Sequence, residues 1–200
     1  MNGRLILPLL LGLLASPLSS EKLSVDALSE YLNGLRTLQA SFTQISADSS
    51  LSTGSLYIKR PGRVRFEYDP PNNALVLAAG GQLAIFDPRG NSEPESYPLS
   101  KTPLSLILAD NVNLSQDRMV AAHEYDGTST ILTVQDPDFP DRGVISLVFT
   151  GPQPQLRQWV IQDQNGDQTV VVLNDMMTQL SLSESLFNIF INKQKRNSKD

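Results

Sequence analysis

Two hundred residues and 22.0 kDa hold one domain, or two small ones at most. With no cysteine and a single histidine, the chain excludes disulfides, thiol catalysis, Cys- or His-cluster metal sites and a lipid-modified N-terminal cysteine. A net charge of −5 and an aromatic content of 6% argue against a nucleic-acid-binding surface.

Residues 1–20 read as a secretory signal peptide. Arg4 is a minimal basic start, residues 5–14 form an apolar run, and cleavage is expected after Ser20. The run is short of the roughly 20 residues a membrane-spanning helix needs. In a Gram-negative host the destination is the periplasm. One amphipathic helix follows. Val25, Leu28, Leu32 and Leu35 recur at helical spacing, and Ser24 is placed to cap the first turn. Tyr31 and Leu38 widen its stripe.

The period then changes to two. Leu38, Ala40, Phe42 and Gln44 begin an alternating run, and Leu56 and Ile58 alternate with Ser55, Tyr57 and Lys59. Val64, Phe66 and Tyr68 face one way while Arg63, Arg65 and Glu67 face the other. Residues 75–79 and 83–86 form a hairpin around Gly80-Gly81, with Asp87-Pro88 ending the second strand. Thr102-Pro103 opens a second, short helix carrying Leu104, Leu106, Ile107 and Leu108, with Thr102 as its cap. Such an apolar helix requires an apolar partner. Further strands are expected at 131–134, 144–149, 156–162, 169–173 and 186–191, with hairpin turns at Asp126-Gly127 and Asn165-Gly166. Residues 193–200 read as a polar tail behind a single domain of residues 21–192. About ten antiparallel strands with helices laid on one side fit an α+β layer arrangement.

Catalytic and metal-binding patterns are not supported. His123 and Glu124 are neighbours in sequence and on a strand would point to opposite faces, so His123 reads as a partly exposed loop or strand residue. Asp136, Asp138 and Asp141 lie among two prolines and read as a turn, and the stretch from Asp163 to Asp167 lacks a calcium loop's closing Glu. There is no Gly-x-Ser-x-Gly elbow, and Gly80, Gly81 and Gly90 make no phosphate loop. A non-enzyme without metal or cofactor is expected. What does stand out is Lys59, Arg60, Arg63 and Arg65, four cations within seven residues of an acidic chain. On pattern alone they read as the charged edge of a sheet.

The run from Gly54 through Lys59-Arg60-Pro61-Gly62-Arg63-Val64-Arg65-Phe66 to Tyr68 resembles the most recognisable segment of the LolA-type family of periplasmic lipoprotein carriers. Leu38-Gln39-Ala40-Ser41-Phe42-Thr43-Gln44 is similar to that family's first strand. Asp87-Pro88 resembles a later strand end, and Thr102-Pro103-Leu104 with Leu106-Ile107-Leu108 resembles its helix inside the cavity. The resemblance implies a mostly β fold with α: an unclosed antiparallel half-barrel covered by a helical lid, its apolar cavity taking lipoprotein acyl chains. It also implies that Arg60 latches the lid through backbone groups. Arg63 and Arg65 are close enough to share or mimic that role, and the C-terminal end lacks the family's usual Phe-x-Phe-x-Pro ending.

The candidate lining is Leu28, Leu32, Leu35, Phe42, Leu56, Ile58, Val64, Phe66, Leu83, Ile85, Leu104, Ile107 and Leu108. Expected partners are acylated lipoproteins, an inner-membrane ATP-binding-cassette transporter that releases them, and an outer-membrane acceptor lipoprotein or the outer membrane directly. The protein itself is expected to be monomeric. The competing reading is a periplasmic lipid- or lipoprotein-sensing regulatory module on the same fold.

Overall fold

The computed structural model describes residues 21–87 and 93–198. The expected signal peptide, Pro88 and Gly90 lie outside that range. The chain enters through α1 (Val25–Gly34), where the Ser24 hydroxyl accepts a hydrogen bond from the Ala27 N–H at 3.2 Å, as the sequence predicts. Leu28 and Leu32 are its buried residues. At its C-terminal end the Leu35 N–H returns to the carbonyls of Tyr31 and Leu32.

One antiparallel sheet of eleven strands makes up the body. In chain order these are β1 (Thr37–Ile45), β2 (Leu51–Lys59), β3 (Arg63–Tyr68), β4 (Leu75–Ala79), β5 (Gln82–Phe86) and β6 (Glu95–Pro98). They continue as β7 (Val120–Tyr125), β8 (Ser129–Gln135), β9 (Val144–Thr150), β10 (Gln155–Gln162) and β11 (Gln168–Thr178). Their order is β6-β5-β4-β3-β2-β1-β11-β10-β9-β8-β7, so β6 and β7 are unpaired edges and the sheet does not close. Every neighbouring pair is sequential except β1 with β11. The connection between the two edges carries the short helix α2 (Leu104–Leu108).

The turns behave as their residues require. Gly80 and Gly81 both take positive φ, 58° and 77°. The Asp126 carboxylate accepts from the N–H groups of Thr128 and Ser129, and that of Asp163 accepts from Asn165 and Asp167.

Alternation sorts the sheet into two faces. Following the register across the strands, Phe42 lies opposite Gly54, Leu56 opposite Phe66, Ile58 opposite Val64, Phe66 opposite Val76, and Val76 opposite Ile85. This face is concave. The β3 and β10 strands are four steps apart, about 19 Å in a flat sheet, yet the rings of Phe66 and Trp159 meet edge to face at 6.3 Å. Gly54 permits the curvature locally: a Cβ there would lie 2.2 Å from the Glu67 carbonyl oxygen and 2.8 Å from the Phe42 ring.

A large cluster fills the concave side beneath α1 and α2. A smaller one of Leu75, Leu77, Ala84 and Phe86 lies on the outer face with Ile189 against it.

Three expectations change. Residues 186–191 are not a strand. A single 3-10 turn (Glu184–Phe187) leads into α3 (Ile189–Asn197). Each start is capped, by the Ser183 hydroxyl accepting from the Ser185 N–H and by the Asn188 side chain accepting from the Ile191 N–H. The polar stretch from residue 193 to 197 therefore belongs to this helix. Thr102 does not cap α2. It is extended, and its hydroxyl donates to the Leu99 carbonyl at 2.8 Å, while Pro103 is already helical. Finally, β6 and β7 are strands the alternation did not single out. All four residues of β6 are exposed, so no apolar period marks it.

Candidate functional site

The site begins where β2 ends. Lys59 closes the strand, and Arg60-Pro61-Gly62 turns the chain into β3, with Gly62 at φ 67°. The same turn is bonded to both lid elements: the Arg60 N–H donates to the Arg36 carbonyl and the Gly62 N–H to the Leu108 carbonyl, at 2.9 and 2.8 Å. The Arg60 side chain is thereby aimed beneath the lid and is 6% exposed.

Its guanidinium donates to carbonyls at the C-terminal ends of both helices. Nε and Nη2 reach the Ala109 oxygen at 3.0 and 2.6 Å, Nη1 reaches the Leu32 oxygen, and Nη2 also approaches the Asp110 carbonyl and Asn33 Oδ1 at 3.3 Å. Carbonyls at a helix C-terminus lack a full set of helical partners and carry the negative end of the dipole, so a cation forked among them is well matched. All its direct partners are neutral. Burial holds its pKa below the usual arginine value, the Arg36 charge lowers it further, and Asp110 opposes both. Arg36 and Asp110 pair with each other on the surface at 3.1 Å.

Asn33 ties the lid into one unit. Its side chain exchanges two hydrogen bonds with the backbone of Val112, at 2.8 and 2.9 Å. The Ser29 hydroxyl accepts from the Leu114 N–H, and the Ser115 hydroxyl donates to Asp26. At the other end of α1, the Leu23 N–H donates to Thr130 Oγ1 and the Leu23 carbonyl lies 2.9 Å from His123 Nε2. His123 thus fastens the lid's entry to the edge strand β7.

Arg63 and Arg65 do not share the Arg60 position. Alternation sends them to the outer face. Arg63 joins Glu184, which Lys59 also pairs, at 2.7 and 2.6 Å. Arg65 bonds the Glu67 carboxylate, the Leu186 carbonyl and Asn192 Oδ1.

The expected lining residues come together on the concave side. Leu28, Leu32, Leu35, Leu104, Ile107 and Leu108 descend from the lid, and Phe42, Leu56, Ile58, Val64 and Phe66 rise from the sheet. None of these is more than 7% exposed. Leu83 and Ile85, near the β6 edge, are half-buried. In this arrangement the side chains pack against one another beneath the lid. Two open hollows of about 360 and 550 Å³ lie elsewhere, around residues 45–47 with 166–168 and around residues 48–53 with 69–72.

Trp159 was not singled out in the sequence, and Tyr68 and the partly buried Gln44 were placed on alternating strands but not in the expected lining. Trp159 is the single tryptophan and is fully buried; the pattern of β10 places it inward, opposite Leu147 and Val171. Tyr68 stacks edge to face on Phe42 at 5.1 Å and donates to Gln44 Oε1 at 2.7 Å. Burial pushes its phenol up to about 12, with the Gln44 hydrogen bond acting the other way. Among the described residues there is no cluster of three or more His, Cys, Asp or Glu placed to hold a metal, and no helix long and apolar enough to cross a membrane.

Comparison with known proteins gives a consistent result. The family described as "Outer membrane lipoprotein carrier protein LolA" matches residues 33–190. The chain is 26% identical over 199 residues to an outer-membrane lipoprotein carrier protein of Pseudomonas putida, covering 94% of this chain and 93% of that one. With the protein of the same description from Methylococcus capsulatus it shares 36% over 88 residues, 42% of this chain and 41% of that one. Among solved structures, the putative outer membrane lipoprotein-sorting protein domain from Vibrio parahaemolyticus superposes with a TM-score of 0.50 at 12% identity, covering 84% of this chain and 97% of that one. That likeness supports the fold alone. The match across most of the chain, together with the unclosed half-barrel beneath its helical lid, establishes that this protein belongs to the LolA outer-membrane lipoprotein carrier family.

Proposed function

We propose that the protein is a soluble periplasmic carrier, exported by the signal peptide of residues 1–20, whose half-barrel domain, running from residue 21 through the end of α3, shields the acyl chains of lipoproteins. It receives them from an inner-membrane ATP-binding-cassette transporter and delivers them to the outer membrane or to an acceptor lipoprotein there. The observation that carries this reading is Arg60, a buried cation holding two lid helices over an apolar interior through neutral oxygens only.

The energetics favour such a device. An acyl chain of about sixteen carbons is disfavoured in water by about 12 kcal/mol, at about 0.8 kcal/mol per methylene. Separating the lid from Arg60 breaks five hydrogen bonds, each contributing about 1.5–3 kcal/mol net, a cost of the same order that falls as water replaces the lost partners of both sides. Cargo is therefore able to offset the opening. Because the latch re-forms once the interior empties, the closed form also competes with the bound chain and helps its surrender. An ion pair at the same place would resist opening more strongly, since parting two buried charges is more costly than parting a charge from carbonyls.

The test is release of radiolabelled lipoprotein from spheroplasts with the purified protein added outside. Wild-type protein is expected to bring lipoprotein into the soluble fraction. Arg60→Leu is expected to accept lipoprotein but pass it on poorly to outer-membrane vesicles. Absence of any release by the wild-type protein would overturn the carrier reading, and normal delivery by Arg60→Leu would overturn the latch.

A further inference from the structure

Among the described residues, one buried side-chain polar atom has no hydrogen-bond partner in the closed form. Trp159 Nε1–H is fully buried and has no protein acceptor within hydrogen-bonding distance. An indole N–H can only donate. Leaving a buried donor unmet costs about 1–3 kcal/mol, and buried polar groups are otherwise nearly always paired. A phenylalanine here would leave a small cavity but no unmet donor.

The surroundings limit what the acceptor can be. Trp159 touches Phe66 and sits between Leu147 and Val171 in the ladder, all apolar. No cation is among these neighbours to compensate a phosphate or carboxylate, so a neutral oxygen is the fitting partner. A polar pair lies close by. Gln44 and Trp159 flank Val171 in one row of the sheet, and Gln44 accepts from Tyr68 and donates to Ser46. The Arg60 latch is at the other end of the same strand system. Thr37, paired with Lys59, is seven residues from Gln44 along β1, roughly 23 Å at the strand rise.

From this arrangement we infer that Trp159 Nε1–H is the docking point for a fatty-acyl carbonyl oxygen. The ester or amide end of the lipid lies by Gln44, Tyr68 and Trp159, and the hydrocarbon tails run toward Arg60. The inference rests on the carrier reading and deepens it: the acyl chains are recognised by a carbonyl and not by their apolar surface alone. Lifting the lid lets the chain part Phe66 from Trp159, and the exposed donor meets the carbonyl there.

A single tryptophan makes the test direct, because the ¹⁵N-labelled chain gives one indole resonance. Two probes of equal chain length are added below their micellar concentrations: sucrose monododecanoate, which has an ester carbonyl, and dodecyl maltoside, which has none. The ester is expected to move the indole proton downfield by several tenths of a ppm, while the maltoside is not. In competition against a fluorescent apolar dye, wild-type protein is expected to prefer the ester about fivefold, and Trp159→Phe to reduce the preference to near unity. Should that variant fail to fold, the wild-type resonance decides alone. Binding of both probes with equal indole shifts overturns the inference and leaves the carrier reading standing. Binding of neither overturns the carrier reading, and this inference with it.

Discussion

Arg60 and Arg65 are five residues apart, nearly equally buried at 6% and 8%, and each holds a helical segment onto the same sheet. They work on opposite faces with different chemistry. Arg60 faces the concave side and grips α1 and the end of α2 through neutral oxygens. Arg65 faces outward and is neutralised by Glu67 at 2.8 Å before it reaches Leu186 and Asn192 beside α3. The difference separates a fastening made through neutral oxygens alone from one that includes a charge pair. Carbonyl partners of Arg60 are readily exchanged for water, whereas the Arg65 pair is fixed in place and adds the Asn192 side chain to its grip.

The largest effect is expected from Arg60→Leu. Losing the fork unpins α1 and residues 108–114, and their amide exchange protection should fall about 100-fold, near 2.7 kcal/mol, with α3 unchanged. Equal loss on both faces would break the comparison. Arg65→Leu is expected to act on the other face and more weakly. Its partner Glu67 is 55% exposed and remains hydrated when left alone. Protection of α3 should drop about tenfold while the lid and lipoprotein release stay normal. Loss of lid protection in this variant would show that the two faces are coupled.

The smallest effect is expected from acid. Hydrogen bonds from Lys59 first, then Arg63, hold the Glu184 carboxyl below its usual 4.5. A depressed carboxyl pKa contributes stability that is present above the unfolded value and lost as pH falls through the folded one. Below pH 4.5 the 3-10 turn at Glu184–Phe187 should therefore loosen, read as faster exchange at residues 185–187. Arg60, with no carboxylate among its direct partners, should keep the lid closed over the same range.

Much of the interior was legible beforehand. Alternation put Leu56 with Ile58, and Val64 with Phe66, on one face within their own strands, and the register across strands brings them to the same face as Phe42, Leu83 and Ile85. The helical spacing of Leu28, Leu32 and Leu35 put them on one stripe, which is buried. Residues 186–191 misled because five apolar residues in a six-residue segment satisfy either period. The capping side chains of Ser183 and Asn188, with Ile189 turned into the outer cluster, decide for helix. Trp159 went unnoticed because nothing in a strand pattern tells a satisfied indole from an unpaired one.

Local sequence by itself determined where the chain turns and which side chains share a face, since a period of two and the glycine and aspartate turns are properties of neighbouring residues. Only the tertiary structure decided which face curves inward, that β6 and β7 are the two edges of the sheet, and that Arg60 meets Leu32 and Ala109. Curvature and those meetings depend on groups 28 and 49 residues apart in the chain being brought to one point, and no local periodicity encodes that.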